Sequence, residues 1–279
     1  MKSDKVVQIT AFAAILLGGI LLLINIYGLT QDIRPATIQD SELRFHNDVS
    51  LTYDDAKKAI PRKEGETEEQ YAERMTFVIS QTLAHIQWNE EQDPRKYNQR
   101  IPVWENYFLY VMALVSGIPE FEKYHYANYD LSLKRGIGIC GDASMVMSQI
   151  LNQQNIPNQI ITFPGHVVIE ASFNDGATRV FDPDFGVALP YSTDEINSSP
   201  ALVRAFYSAE GYTEKEVNTL NWLYGKDYQR WNGVSHFITK KYYFEKFAYF
   251  MKWPLPILLI LGAAGVLYLN KRRRINKSS

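Results

Sequence analysis

The 279-residue chain predicts an α+β fold bracketed by two membrane-spanning helices, and three features carry that prediction. Each end holds a long uncharged apolar run. The middle, residues 131–190, passes from a helical pattern into β-branched and aromatic runs separated by Asn174-Asp-Gly176. The only cysteine, Cys140, stands in Arg135-Gly-Ile-Gly-Ile-Cys-Gly-Asp-Ala143, directly before an amphipathic helix.

The ends come first. Residues 6–27 carry no charge, and only Gln8, Thr10 and Asn25 are strongly polar. A bilayer core needs about 20 helical residues, so this run is long enough to cross it. No small-x-small cleavage site follows Tyr27, which favours an uncleaved anchor over a signal peptide. Residues 254–269 are also uncharged and span about 24 Å as a helix. Tyr249, Phe250 and Trp253 supply an aromatic belt before them, and Lys252 is placed to snorkel. Lys2 and Lys5 flank the first span, and Lys271, Arg272, Arg273, Arg274 and Lys277 follow the second, outweighing Lys240, Lys241, Lys246 and Lys252 on the other side. The positive-inside rule then puts both termini in the cytoplasm. The expected organisation is a cytoplasmic tip (1–5), a span (6–27), an extracytoplasmic or periplasmic domain (28–253, core about 103–192), a second span (254–270) and a basic tail (271–279) in the cytoplasmic membrane.

Without the tips, 22 Lys+Arg face 30 Asp+Glu in the outer domain, dispersed rather than blocked. An acidic domain lacks the basic footprint of a nucleic-acid binder. A single cysteine outside the cytosol cannot build a disulfide framework, so it is either a small buried hydrophobe or a reactive thiol.

Along the domain, residues 28–50 read as a polar connector. Residues 67–86 predict a helix with Thr67 as N-cap and Tyr71, Met75, Val78, Leu83 and Ile86 on one stripe. Asp93-Pro94 and Ile101-Pro102 bracket a loop. Residues 103–116 predict an apolar helix stopped by Gly117-Ile-Pro119. The helix headed by Cys140 runs to Gln153 and stops at Asn155-Ile-Pro157. Residues 159–163 and 166–173 read as strands, and 177–181 as the return strand after the Asn174-Asp-Gly176 turn. Helix followed by antiparallel strands is an α+β order. Beyond Tyr191 the pattern is helical again, with a capping-box sequence at Thr213-Glu-Lys-Glu216 and an aromatic helix over 235–251.

A thiol at a helix N-terminus meets unpaired N–H groups and the positive end of the helix dipole, which lower its pKa. Gly136, Gly138 and Gly141 keep the approach narrow, and the Cys140 N–H is an oxyanion donor. His166 opens one strand and Asp182 closes the next. With a three-residue turn, paired numbers sum to 350, and His166 and Asp182 become diagonal neighbours on one face. A two-residue turn places them on opposite faces, so Asp184 competes as the orienting carboxylate. Asn106 and Gly141 are the further candidates for oxyanion support. His46, His85, His125 and His236 fall on different elements without ligand spacing, so neither a metal nor a cofactor is expected.

The block from Gly136 to Pro183 resembles the transglutaminase-like (Cys-His-Asp) cysteine superfamily, distantly papain-like. The residues that carry the resemblance are Gly138-Ile-Cys-Gly-Asp-Ala143, the helix ending in Asn155-Ile-Pro157, Gly165-His166 and Phe181-Asp182-Pro183. It covers about 50 residues. It departs from the common pattern at Val168, where members often carry an aromatic, and in the short 26-residue interval from Cys140 to His166. The resemblance implies a nucleophile helix packed on an antiparallel sheet, with Cys140 as nucleophile, His166 as base and Asp182 as orienter. It implies a compact bacterial thiol enzyme acting on amide or acyl bonds, a peptidase or amidase before a cross-linking transamidase. The alternatives are an inactive envelope scaffold and an acyltransferase on surface glycan. Anchorage restricts partners to the membrane and to envelope proteins, peptidoglycan peptides or surface-polysaccharide machinery.

Overall fold

The computed structural model describes residues 2–35, 43–44, 49–86 and 100–278. His46, the Asp93-Pro94 loop and parts of the connector lie outside the described residues. The protein is mixed α+β. In chain order, α1 (Lys2–Gly28), α2 (Tyr53–Ala59) and α3 (Glu68–Ser80) lead to the short β1 (Ala84–His85). Then come α4 (Tyr107–Val115), α5 (Pro119–Lys123), α6 (Tyr129–Arg135), β2 (Ile137–Gly138) and α7 (Cys140–Gln153). Strands β3 (Asn158–Phe163), β4 (His166–Ser172), β5 (Thr178–Asp182) and β6 (Val187–Leu189) follow. Helices α8 (Thr193–Ser198), α9 (Arg204–Ala209) and α10 (Glu214–Tyr224) precede β7 (Gln229–Trp231), α11 (Val234–Phe237), α12 (Thr239–Met251) and α13 (Pro254–Ser278).

The chain forms two compact units. One comprises Met1–Asp32, Arg100–Ile118 and Phe244–Ser279, the other Ile33–Gln99 and Pro119–Tyr243. The first contains α1 and α13, two helices long and apolar enough to cross a membrane, over Lys5–Gly28 and Pro254–Asn276. They pack along each other.

The second unit is built on an antiparallel five-stranded sheet, ordered β6-β5-β4-β3-β7. Period-two alternation divides its side chains between two cores. Ile160, Val167, Ile169, Ala171 and Phe181 pack with Met75, Ile79, Val146 and Ile150 from α3 and α7. Ile161, Val168, Val180 and Leu189 pack with Tyr207, Val217, Leu220 and Tyr224 from α9 and α10. The sheet is therefore covered on both faces, which explains the near-continuous burial of β4.

Local signals act where expected at the caps. Thr67 with Gln70 and Thr213 with Glu216 form capping boxes. Three boundaries differ from the sequence prediction. The helix from residue 67 stops at Ser80, because residues 84–85 pair in parallel with residues 137–138. The apolar helix begins at Tyr107, where the Asn106 side chain accepts from the Phe108 and Leu109 amides. The aromatic segment 235–251 is broken at Ile238 into α11 and α12.

Candidate active site

Cys140 is the first residue of α7 and is half-buried. The Asp142 carboxylate turns back and accepts from the Ile139 amide at 3.0 Å, satisfying one of the free donors of that helix end. One turn further on, Ser144 Oγ donates to the Val167 carbonyl at 3.0 Å. That bond ties α7 to β4 one residue from His166. Pro164-Gly165 makes the tight turn that starts β4 at His166, since Phe163 pairs directly with His166. Gly165 sits at φ +87, a conformation a side chain there would strain.

The hairpin register decides the carboxylate. Ile169 pairs with Phe181, Glu170 with Val180, and the Phe173 amide donates to the Ala177 carbonyl. These pairs sum to 350, the three-residue-turn alternative, so His166 and Asp182 share one face. His166 Nε2 donates to Asp182 Oδ2 at 2.7 Å, with the two side chains 4% and 0% exposed. Nδ1 is then the ring nitrogen left for the thiol. The Cys140 sulfur, a His166 ring nitrogen and an Asp184 oxygen lie within 4.8 Å of one another. Burial lowers the proton affinity of His166, but the Asp182 charge and hydrogen bond, with the Cys140 thiol, outweigh it and raise its pKa well above the usual value.

Asp182 is held by more than the imidazole. Tyr207 Oη donates to its Oδ2 at 2.7 Å and lies 2.7 Å from Tyr224 Oη. The Asp184 and Phe185 amides donate to its Oδ1 at 3.2 and 3.1 Å. Burial and the Asp182 charge push both phenols well above their ordinary pKa, so they remain protonated. Tyr224 and Phe185 also meet the His166 ring edge-on, at 6.0 and 5.4 Å between centroids.

Asp184, the rival orienter, serves a different histidine. His85 Nδ1 bonds its two oxygens at 2.8 and 2.9 Å, and Arg44 Nη2 lies 3.3 Å from Oδ2. Burial favours the neutral acid, yet His85 and Arg44 hold this carboxyl well below the usual carboxylate range. Asp184, His85 and Arg44 line a cavity of about 170 Å³ together with Glu210 and Tyr212. His85 has no ligand spacing along the chain, and no local signal marks Arg44. Cys140, His166 and Asp184 also form a donor set able to hold a metal ion, which spacing along the chain does not disclose.

Gly141 has a steric role. A Cβ there would lie 2.5 Å from Tyr124 Cε1 and 2.9 Å from its hydroxyl. The missing side chain admits the Tyr124 ring over the start of α7, beside Cys140. Burial, then the Asp142 and Cys140 charges, raise the Tyr124 pKa and keep its hydroxyl a donor. Asn106 belongs to the other compact unit, where its side-chain oxygen caps α4. His125 is buried in the unit that holds the thiol, and burial, Arg135 and Lys241 depress its pKa. His236 lies on α11.

A thiol, a charged imidazole bonded to a buried carboxylate, and helix-end donors are the parts of an acyl-transfer centre. No protein-family model, no curated protein and no solved structure matches the chain.

Proposed function

We propose that the protein is a membrane-tethered thiol enzyme that cleaves or transfers amide or acyl groups at the outer face of the cytoplasmic membrane. The observation that carries the reading is the His166–Asp182 pair, bonded at 2.7 Å beside a cysteine at the first position of a helix. In the first half-reaction the Cys140 thiolate attacks the carbonyl carbon. His166 gives its proton to the departing nitrogen as the C–N bond breaks, leaving a thioester and a neutral imidazole. In the second half-reaction water, or an amine, attacks the thioester carbon and gives its proton to His166, and the thiolate leaves. The Cys140 N–H and the Tyr124 hydroxyl are the donors for the carbonyl oxygen as it becomes an oxyanion. Asp182, fixed by Tyr207 and two backbone amides, orients the ring and supports its charge.

This chemistry and the order of Cys140, His166 and Asp182 support a transglutaminase-like, papain-like core, with hydrolysis before cross-linking. The two apolar helices act as anchors, with the termini inside and the intervening residues outside. Substrates are envelope proteins, peptidoglycan peptides or components of surface-polysaccharide assembly.

An activated ester tests the mechanism without knowledge of the natural substrate. The detergent-solubilised full chain mixed with p-nitrophenyl acetate should release one equivalent of p-nitrophenolate in a burst and carry acetyl on Cys140. Cys140→Ser should abolish the burst and His166→Ala should slow it about a hundredfold or more. Acylation no faster than that of free cysteine, and indifferent to His166, would leave only a scaffold role.

A further inference from the structure

The unit that contains α1 and α13 also exposes an apolar surface that neither long helix covers. From Tyr107 to Ile118 the chain has no charged residue. On α4, Leu109 and Ala113 are buried, but Val111, Leu114 and Val115 are 49%, 47% and 72% exposed. In the second half of α12, Phe247 and Phe250 are 50% and 71% exposed. The Phe108 ring lies 5.9 Å from that of Phe247, so the two apolar faces meet. Large contiguous apolar patches mark interaction sites rather than ordinary surface.

Hydrogen bonds fix this surface at the ends of the two long helices. The Lys252 carbonyl, two residues before α13, accepts from Tyr107 Oη at 2.9 Å and from Asn25 Nδ2 at 2.5 Å. Lys252 Nζ donates to the Glu105 carbonyl at 2.6 Å, and Tyr249 Oη donates to the Glu105 carboxylate at 2.7 Å. The last turn of α1, the entry to α13 and the start of α4 are thus joined at one level. Helix α4 has nine residues, about 13 Å, and cannot cross a bilayer that needs about 20. Its uncharged sequence and its junction with two apolar helices argue for lipid as the occupant. A short apolar helix with aromatic flanks is suited to the boundary between headgroups and acyl chains.

We propose that α4 and the second half of α12 form an interfacial membrane-binding face, seated in the outer leaflet where α1 and α13 emerge. The proposal rests on the reading of α1 and α13 as anchors and is independent of the thiol chemistry.

The test uses the full chain in phosphatidylcholine vesicles, with Cys140→Ser as background and one environment-sensitive fluorophore at a new cysteine. Val115→Cys and Val111→Cys report on α4, Leu17→Cys on the middle of α1, and Lys215→Cys on an exposed position of the other unit. Lipids carry a spin-label quencher either near the headgroup or deep in the acyl chain. The expected result is about twofold or stronger quenching at Val115 and Val111 by the shallow quencher. Leu17 should respond more to the deep quencher, and Lys215 to neither. Quenching at Leu17 with none at either α4 site would overturn the proposal while leaving the anchors in place. Such a result would assign the patch to a protein partner or a second copy. No quenching at Leu17 would remove the anchor reading and the proposal with it.

Discussion

Replacing Asp182 by Asn tests the charge that supports His166. With its single oxygen in the place of Oδ2, asparagine keeps an acceptor for the His166 Nε2–H and for Tyr207 while the charge is lost. Its NH2 takes the place of Oδ1, where the Asp184 and Phe185 amides lose their acceptor. The pair is 2.7 Å long and its members are 4% and 0% exposed, so solvent screens it little. A hydrogen bond to a charged group contributes about 1.5–3 kcal/mol net, and losing the charge but not the bond removes about 2 kcal/mol. That corresponds to about thirtyfold in the population of thiolate paired with imidazolium. The assay is the rate constant for alkylation of Cys140 by iodoacetamide between pH 5 and 10. At pH 6 the Asp182→Asn protein should react about thirtyfold more slowly than the native protein. Asp184→Asn is the control. Asp184 lies near both the sulfur and the imidazole, so its charge opposes the thiolate and supports the imidazolium. The two effects offset, and the rate should change by less than about threefold. A native and an Asp182→Asn profile that superimpose would refute the reasoning. The sign of the stability effect follows from the raised His166 pKa. The contribution is complete below the ordinary histidine value of about 6.5 and is lost as pH rises through the folded value.

Three further outcomes are expected. Tyr207→Phe removes one donor from buried Asp182 and that partner from Tyr224, and should cost about 1–3 kcal/mol in urea unfolding. Gly141→Ala drives a methyl to within 2.5 Å of the Tyr124 ring and should cost about 1–3 kcal/mol. Most of that cost should vanish in a double-mutant cycle with Tyr124→Ala, where strict additivity would disprove the contact. Burial pushes the Asp142 carboxyl up to about 7, so its contribution to stability is present below the ordinary carboxyl pKa and is lost as pH rises toward 7. Asp142→Asn keeps an oxygen for the Ile139 amide and should flatten the change in Tm between pH 5 and pH 8, an effect on the order of a few kcal/mol.

Much of this protein is legible where a signal acts over a few residues. The uncharged runs announce α1 and α13, and the capping boxes at Thr67 and Thr213 mark helix starts. Cys140 reads as the head of a helix because apolar spacing begins there. The Asn174-Asp-Gly176 turn confines the register to two choices, and with it the orienter to Asp182 or Asp184. Caps, turns and periodicity are properties of short stretches, so they survive reading along the chain.

Closure of the chain decided the rest. The three-residue turn put Asp182 on the face of His166, and Asp184 went to His85 and Arg44, 99 and 140 residues away in sequence. Tyr207 reaches Asp182, and Tyr224 reaches Tyr207, from helices packed on the face of the sheet that carries Val180, and the Tyr124 ring lies against the start of α7 because Gly141 is bare. Residues 84–85 left the predicted helix to pair with residues 137–138. The apolar helix read over 103–116 starts only at Tyr107, and it leaves Val111, Leu114 and Val115 exposed. Each of these depends on a partner distant in sequence, and hydrogen bonds and packing at that range are chosen by the whole fold rather than by the residues beside them.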